Sequence, residues 1–147
     1  MSAVAVQLPD AGDRAAIEQL LSGFTWFADR HDAGGLAALF TEDARMNVAG
    51  KVIDGRAAML ADLAVRLGDP ARKTRHIWAN LRYLPAQGGA IRTAIVQQTF
   101  EQDGDSPARL RINDITDTFR RDASGAWKIS ERLIERGMSL ALPNHGA

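Results

Sequence analysis

The sequence predicts an α+β domain in which an N-terminal helix packs across a strongly curved, mostly antiparallel sheet and leaves a cone-shaped space. Apolar residues recur at three- and four-residue spacing early in the chain, which is typical of helices. After Pro70 the pattern changes to long extended runs separated by glycine-containing turns, which indicates consecutive hairpins. Helices that come first and strands that come last favour an α+β architecture over alternating βαβ units. At 147 residues, the chain is predicted to form a single domain over residues 1–147.

The predicted helices each carry one apolar stripe. The first covers residues 13–30, and Asp10 or Asp13 is expected to cap its start because a short carboxylate accepts from free backbone N–H groups. We expect the segment His31-Asp32-Ala33-Gly34-Gly35 to end it, since glycine readily adopts the left-handed conformation found at helix ends. A short helix is predicted at residues 36–40 and another helix at 56–67.

Six strands are predicted, two short and four long. The short strands cover residues 43–48 and 51–53, and the long strands cover 74–84, 90–101, 109–121 and 127–136. Long strands twist and coil, so a helix across the concave face encloses a space that is either plugged or open to a ligand. Residues 142–147 are predicted to form a loose tail.

Composition narrows the classes of function. The chain has 18 basic and 18 acidic residues, and a net charge of zero argues against nucleic acid as a partner. It contains no cysteine, which excludes disulfides, thiolate nucleophiles and most zinc sites. Neither a dinucleotide fingerprint nor a phosphate loop occurs, and His31, His76 and His145 lack metal-ligand spacing, so no cofactor and no metal are expected. Without a signal peptide or a membrane-length apolar run, a cytoplasmic protein with no membrane partner is predicted.

Two titratable residues, Asp29 and His76, have apolar residues close to them in the sequence. Strand alternation places His76, Trp78 and Asn80 on one face, and such a face suits a ligand cavity with an apolar wall and a few polar groups. The alternative is a buried, hydrogen-bonded structural histidine with Trp78 in the core. Asp29 lies on the shoulder of the first helix's apolar stripe, where the alternative is a solvated carboxylate or a surface ion pair.

The order and spacing of several segments resemble the nuclear transport factor 2-like superfamily, specifically its SnoaL-like branch. These segments are Phe-Ala-Asp-Arg-His-Asp at 27–32, Leu-Ala-Ala-Leu-Phe-Thr-Glu-Asp-Ala at 36–44, Arg-His at 75–76 with Asn80, and Trp-Lys-Ile at 127–129 with Arg132. The superfamily includes scytalone dehydratase, hexachlorocyclohexane dehydrochlorinase, polyketide cyclases, ketosteroid isomerases and non-catalytic members. The resemblance implies a helix over a curved mixed sheet with a deep pocket, in a homodimer or homotrimer.

The resemblance also implies roles for individual residues. Asp29 and His76 match the catalytic aspartate–histidine dyad of the dehydrochlorinase-like and dehydratase-like members. Arg132 matches a pocket arginine, although a cross-strand ion pair with Asp117 is an equal alternative from the hairpin register.

Four further residues are expected to contact the substrate. Phe24 and Met46 match wall positions of the family, and Trp78 and Asn80 are expected to position the ligand. Phe24 departs from the pattern because it replaces a polar or basic wall residue.

Together with the residue patterns, the family resemblance implies a dehydratase-type lyase or an isomerase that needs no cofactor and removes a proton from a hydrophobic small molecule through Asp29 and His76. Two alternatives stay open. One is a non-catalytic ligand-binding or assembly subunit resembling the β-subunits of ring-hydroxylating dioxygenases. The other is an aldol-type polyketide cyclase, which shares the dyad and differs in its substrate.

Overall fold

The computed structural model describes residues 5–143, and in that range it has three helices and one six-stranded sheet. In chain order the elements are α1 Ala11–Asp29, α2 Ala33–Ala37, β1 Phe40–Val48, β2 Lys51–Asp54, α3 Arg56–Arg66, β3 Arg72–Leu84, β4 Ile91–Asp103, β5 Arg109–Arg121 and β6 Trp127–Ala141. None of the helices in this range is long and apolar enough to cross a membrane.

The sheet has the order β2-β1-β6-β5-β4-β3. Strands β3 to β6 form an antiparallel meander, as the glycine-containing turns predicted. Strand β1 lies parallel to β6, and β2 folds back antiparallel on β1. The sheet is therefore mixed and mostly antiparallel, and the predicted α+β class is confirmed.

Helix α1 packs its apolar stripe against the sheet. Asp10 caps its start, because the side-chain Oδ1 accepts the backbone N–H of Asp13 at 2.8 Å. Ile17 and Leu21 are completely buried, and the ring of Phe24 meets the ring of Phe40 edge to face at 6.3 Å between centroids. The core therefore lies between α1 and the inner face of the sheet.

The end of α1 differs from the expectation. His31, not a glycine, adopts the left-handed conformation, with φ of 58°. Asp32 then caps α2 by accepting the backbone N–H of Gly35 at 2.8 Å, so Gly34 and Gly35 lie inside the second helix. A Cβ on Gly35 would lie 2.6 Å from the ring of Phe27, so packing rather than helix termination requires this glycine.

Strand β3 contains a bulge that alternation did not predict. The register shifts between Ala79 and Arg82, and Asn80 adopts φ of 58°. Asn80 and Leu81 of β3 therefore lie opposite a single residue of β4, and this extra residue reverses the faces of the residues that follow. Asn80 is exposed, whereas Leu81 and Tyr83 turn to the core, so the prediction that Asn80 shares a face with His76 was wrong.

The last strand is longer than predicted. A register shift opposite Ile112 places Gly137 where a Cβ would lie 2.9 Å from the Ile112 carbonyl oxygen, and β6 continues past this bulge to Ala141. The N–H of Leu142 donates to the carbonyl of Ala108 at 2.9 Å, so the predicted tail begins within the sheet's hydrogen bonding. The rest of that prediction, residues 144–147 with His145, lies outside the described residues.

Candidate active site

The C-terminal end of α1 meets the start of β3 through one carboxylate. Asp29 Oδ1 lies 2.5 Å from His76 Nδ1 and also accepts the hydroxyl of Thr74 at 2.9 Å. Asp29 Oδ2 accepts the backbone N–H of His76 at 3.0 Å. The side chains of Asp29 and His76 are only 6% and 14% exposed, so solvent competes little for these contacts.

The contacts favour an ionised Asp29. Desolvation raises the pKa of Asp29, but the hydrogen bonds and charge of His76, together with the Thr74 hydroxyl, outweigh it and hold that pKa below its usual value. An ionised carboxylate only accepts hydrogen bonds, so His76 Nδ1 carries the hydrogen. Whenever the ring is neutral, Nε2 is left with a lone pair, which is what a general base needs.

A cavity of about 140 Å³ lies beside His76, which forms part of its wall. One part of the wall is apolar and comes from the helices and β1, with Phe24, Ala28, Leu36, Met46 and Leu63. The other part is polar and comes mainly from β3, β4 and β5, with Arg72, Thr74, Gln97, Thr99, Glu101, Arg111 and Asn113. Small-molecule sites combine an apolar wall with directed polar groups, and this cavity has both.

The structure brings some of the predicted site residues together and separates others. Asp29, His76, Phe24 and Met46 lie in or directly behind the cavity wall. Trp78 packs against the core and donates its indole N–H to the Ser22 hydroxyl on α1 at 3.1 Å. Asn80, exposed at the β3 bulge, likewise stays outside the lining that residues 5–143 form.

Arg132 lies beneath the cavity wall. Its Nε and Nη2 donate to the two carboxylate oxygens of Asp117 at 2.7 and 2.9 Å, and the two residues are direct partners in the β5–β6 register. The cross-strand pair considered from the sequence is therefore present. The guanidinium carbon lies 3.8 Å from the centroid of the Phe24 ring, so Phe24 packs on the cation with one face.

The polar inner face of the second half of β4 was not predicted from the sequence. Along its inner face Ile91, Thr93 and Ile95 are followed, with the same two-residue period, by Gln97, Thr99 and Glu101. The sequence carried this signal, since a strand that keeps its period while its inner residues change from apolar to polar passes from a core into a cavity.

Several polar atoms of this wall lack a partner. Gln97 Oε1 and Asn113 Oδ1 are buried, and no group in residues 5–143 donates a hydrogen bond to either. Buried polar atoms are ordinarily paired with protein or solvent, so these amides are placed to bind a polar ligand atom or water.

His31 also contributes to the wall of this cavity. Its Nδ1 lies 2.8 Å from the carbonyl oxygen of Leu67, so this nitrogen carries the hydrogen. No group of three or more His, Cys, Asp or Glu side chains within residues 5–143 is arranged to hold a metal ion.

Comparison with known proteins gives one family and many similar structures. The SnoaL-like domain family matches residues 9–133. No curated protein matches the chain. A type 2 hexachlorocyclohexane dehydrochlorinase (LinA) is 24% identical with a TM-score of 0.80, and the match covers 92% of this chain and 93% of that one.

Two further structures are similar. A candidate scytalone dehydratase from Novosphingobium aromaticivorans DSM 12444 is 23% identical with a TM-score of 0.79, over 92% of this chain and 95% of that one. ActVI-ORFA from Streptomyces coelicolor is 21% identical with a TM-score of 0.71, over 86% and 98%. At these identities the structures support the fold, and residue roles depend on the geometry above.

Proposed function

Because the chain belongs to the SnoaL-like domain family, we propose that it is a cofactor-independent lyase or isomerase, of the dehydratase type, that acts on a small hydrophobic molecule. One observation carries the proposal: the Asp29 carboxylate lies 2.5 Å from Nδ1 of His76, whose ring forms part of a cavity wall. An imidazole oriented in this way is a general base with direct access to a bound molecule.

The reaction begins with proton transfer to His76. Nε2 takes a proton from a substrate carbon next to an electron-withdrawing group, and the C–H electron pair moves into the substrate to form a double bond. The Asp29 carboxylate stabilises the imidazolium through the proton on Nδ1. In a lyase the pair expels a leaving group, to which Nε2 returns the proton, whereas in an isomerase the proton returns to another carbon.

The two parts of the cavity wall have different tasks in this reaction. Phe24 and Met46 bind the apolar body of the substrate and exclude water from the imidazole. The amides of Gln97 and Asn113 bind substrate oxygen or nitrogen atoms, which satisfies their unpartnered buried atoms. Arg132 acts as a positioning residue, since it supports the ring of Phe24 and is itself bound by Asp117.

Hydrogen–deuterium exchange tests proton abstraction without knowledge of the natural substrate. Enolisable cyclic ketones such as 2-tetralone, and a panel of β-hydroxy ketones, are incubated with the protein in D₂O and followed by NMR. We expect enzyme-dependent exchange or elimination, reduced about 10²- to 10⁴-fold in His76→Gln and in Asp29→Asn. Glu135→Gln, which changes an exposed residue of β6, is the matched control and keeps the wild-type rate.

Circular dichroism and thermal unfolding show whether each variant is folded. Equal rates in wild type and folded His76→Gln would refute the proposal. Binding of the panel without any exchange or elimination would favour the non-catalytic ligand-binding alternative.

A further inference from the structure

The polar part of the cavity contains more positive than negative charge. Four arginines line the cavity: Arg66, Arg72, Arg111 and Arg136. Asp62 neutralises Arg66, with Oδ2 2.6 Å from Nε, and Glu101 is the carboxylate of the lining itself. Asp62 and Glu101 balance two of these four positive charges, so among the described residues the cavity keeps an excess of two positive charges.

Glu101 cannot neutralise the arginines around it. Its side chain is 5% exposed and contacts Arg72 at 3.0 Å, Arg109 at 3.3 Å and Arg111 at 3.6 Å. Burial raises the pKa of Glu101, but the contacts with these arginines outweigh it and leave the pKa lowered, so the carboxylate is ionised at neutral pH. Arg109 also lies 3.9 Å from the half-exposed Asp103, whereas Arg72 and Arg111, the two that line the cavity, share the single carboxylate of Glu101.

Hydrogen-bond donors of this cluster also lack acceptors. Arg72 Nε is buried, and no acceptor in the part of the chain that the structure describes reaches it. Arg111 approaches Glu101 at 3.6 Å, which is an ion-pair distance but too long for a hydrogen bond. A buried donor without a partner is costly, and a ligand oxygen at this place would remove that cost.

We infer that the substrate is an organic carboxylate, whose anionic group is bound by Arg72 and Arg111 while its apolar body lies against Phe24 and Met46. The planar guanidinium matches the geometry of a carboxylate with two parallel hydrogen bonds. Arg136, exposed on β6 at the cavity wall, adds a positive charge to the approach. The inference rests on the proposed function, because it names the substrate class of that same cavity.

A purely structural cluster explains less of the arrangement. Arg109 is the direct β5 partner of Glu101 on β4, and this pair with Arg72 is sufficient to satisfy the buried carboxylate. Arg111, whose side chain is 24% exposed, is then a further cation of the cavity wall, and within residues 5–143 no carboxylate other than Glu101 lies within ion-pair distance of it. An anion from outside the chain accounts for its position.

Paired ligands that differ in charge but not in shape test the inference. Benzoate, cinnamate and 2-naphthoate are each compared with the corresponding neutral amide by isothermal titration calorimetry. A hydrogen-bonded charge pair predicts at least about 10-fold tighter binding of the best carboxylate than of its amide. The advantage is expected to decrease as salt is added.

Substitutions of single arginines show which side chains bind the carboxylate. Arg111→Gln is expected to weaken carboxylate binding about 10-fold and to leave amide binding unchanged. If Arg111→Gln does not fold, Arg136→Gln is the second variant, because Arg136 is exposed. Arg120→Gln, an exposed arginine elsewhere on β5, is the matched control and should behave as wild type.

The outcomes separate this inference from the proposed function. If no carboxylate of the series binds more tightly than its amide, the inference is overturned. The same titrations in His76→Gln should keep the preference for carboxylates, because the arginines are intact there. A preserved preference without proton exchange in wild type would count against the catalytic dyad and leave the anion site in place.

Discussion

Removal of the negative charge from Asp117 should destabilise the protein strongly. Asp117 is completely buried and binds Arg132 through two hydrogen bonds of 2.7 and 2.9 Å. The Asp117→Asn substitution keeps the size of the side chain but leaves the Arg132 cation buried without a counter-ion. Arg132 Nη1 already lacks a partner within residues 5–143, so nothing nearby is placed to take over.

The magnitude follows from the burial of both groups. Their side chains are 0% and 1% exposed, and breaking a buried ion pair on one side costs about 3–5 kcal/mol. A domain of this kind has a free energy of unfolding of about 5–15 kcal/mol in total. The variant should therefore lose about a fifth of its stability or more on these general scales, and the ring of Phe24 should lose its support.

Urea-induced unfolding followed by tryptophan fluorescence measures the free energy of unfolding of each variant. Asp54→Asn is the control, because the Arg45–Asp54 pair is 61% and 75% exposed at 3.5 Å and should contribute less than about 1 kcal/mol. In the double variant Asp117→Leu/Arg132→Met, much of the lost stability should return, because neither buried charge remains. A loss in Asp117→Asn as small as that of the control would refute this reasoning.

Two further predictions concern packing and pH. Gly35→Ala should lower the free energy of unfolding by about 1–3 kcal/mol, because the new Cβ would lie 2.6 Å from the Phe27 ring. The control Gly12→Ala, whose new Cβ has its nearest contact at 3.5 Å, should not be destabilising. Equal effects of the two substitutions in urea unfolding would contradict the packing argument. Because the pKa values of Asp29 and Glu101 are lowered in the folded state, their contribution to stability is complete above the unfolded pKa of about 4 and is lost as the pH falls through the folded values. Urea unfolding from about pH 7 to about pH 3 should show this decline, and Glu101→Gln should make it shallower; an unchanged slope would contradict it.

The elements with a clear period were predictable from the sequence. The stripe through Ile17, Leu21 and Phe24 indicated α1, and the turns after Pro70 indicated the meander of β3 to β6. The contact between Asp29 and His76 was expected from family resemblance together with their apolar surroundings. Their catalytic roles remain proposals, as does the expected homodimer or homotrimer, which light scattering can measure.

The details that failed depend on single backbone positions. His31 and Asn80 both adopt left-handed conformations without being glycine, and local composition does not mark such residues. The bulge turned Asn80 away from the face of His76, whereas Trp78, which precedes the bulge, packs against the core. The arginine cluster around Glu101 was not predicted, because its arginines lie on different strands and meet Glu101 only through the pairing of β3, β4 and β5.

The hydrogen bonds of Asp29 have a consequence for protein engineering. This one carboxylate orients the imidazole and also fastens the last turn of α1 to β3 through Thr74 and the backbone of His76. A library that randomises position 29 to find new reactivity would therefore also select against members in which the helix detaches from the sheet. Mutagenesis directed to the neighbouring strands β4 and β5, at Gln97 or Asn113, would explore new substrates while that anchor stays in place.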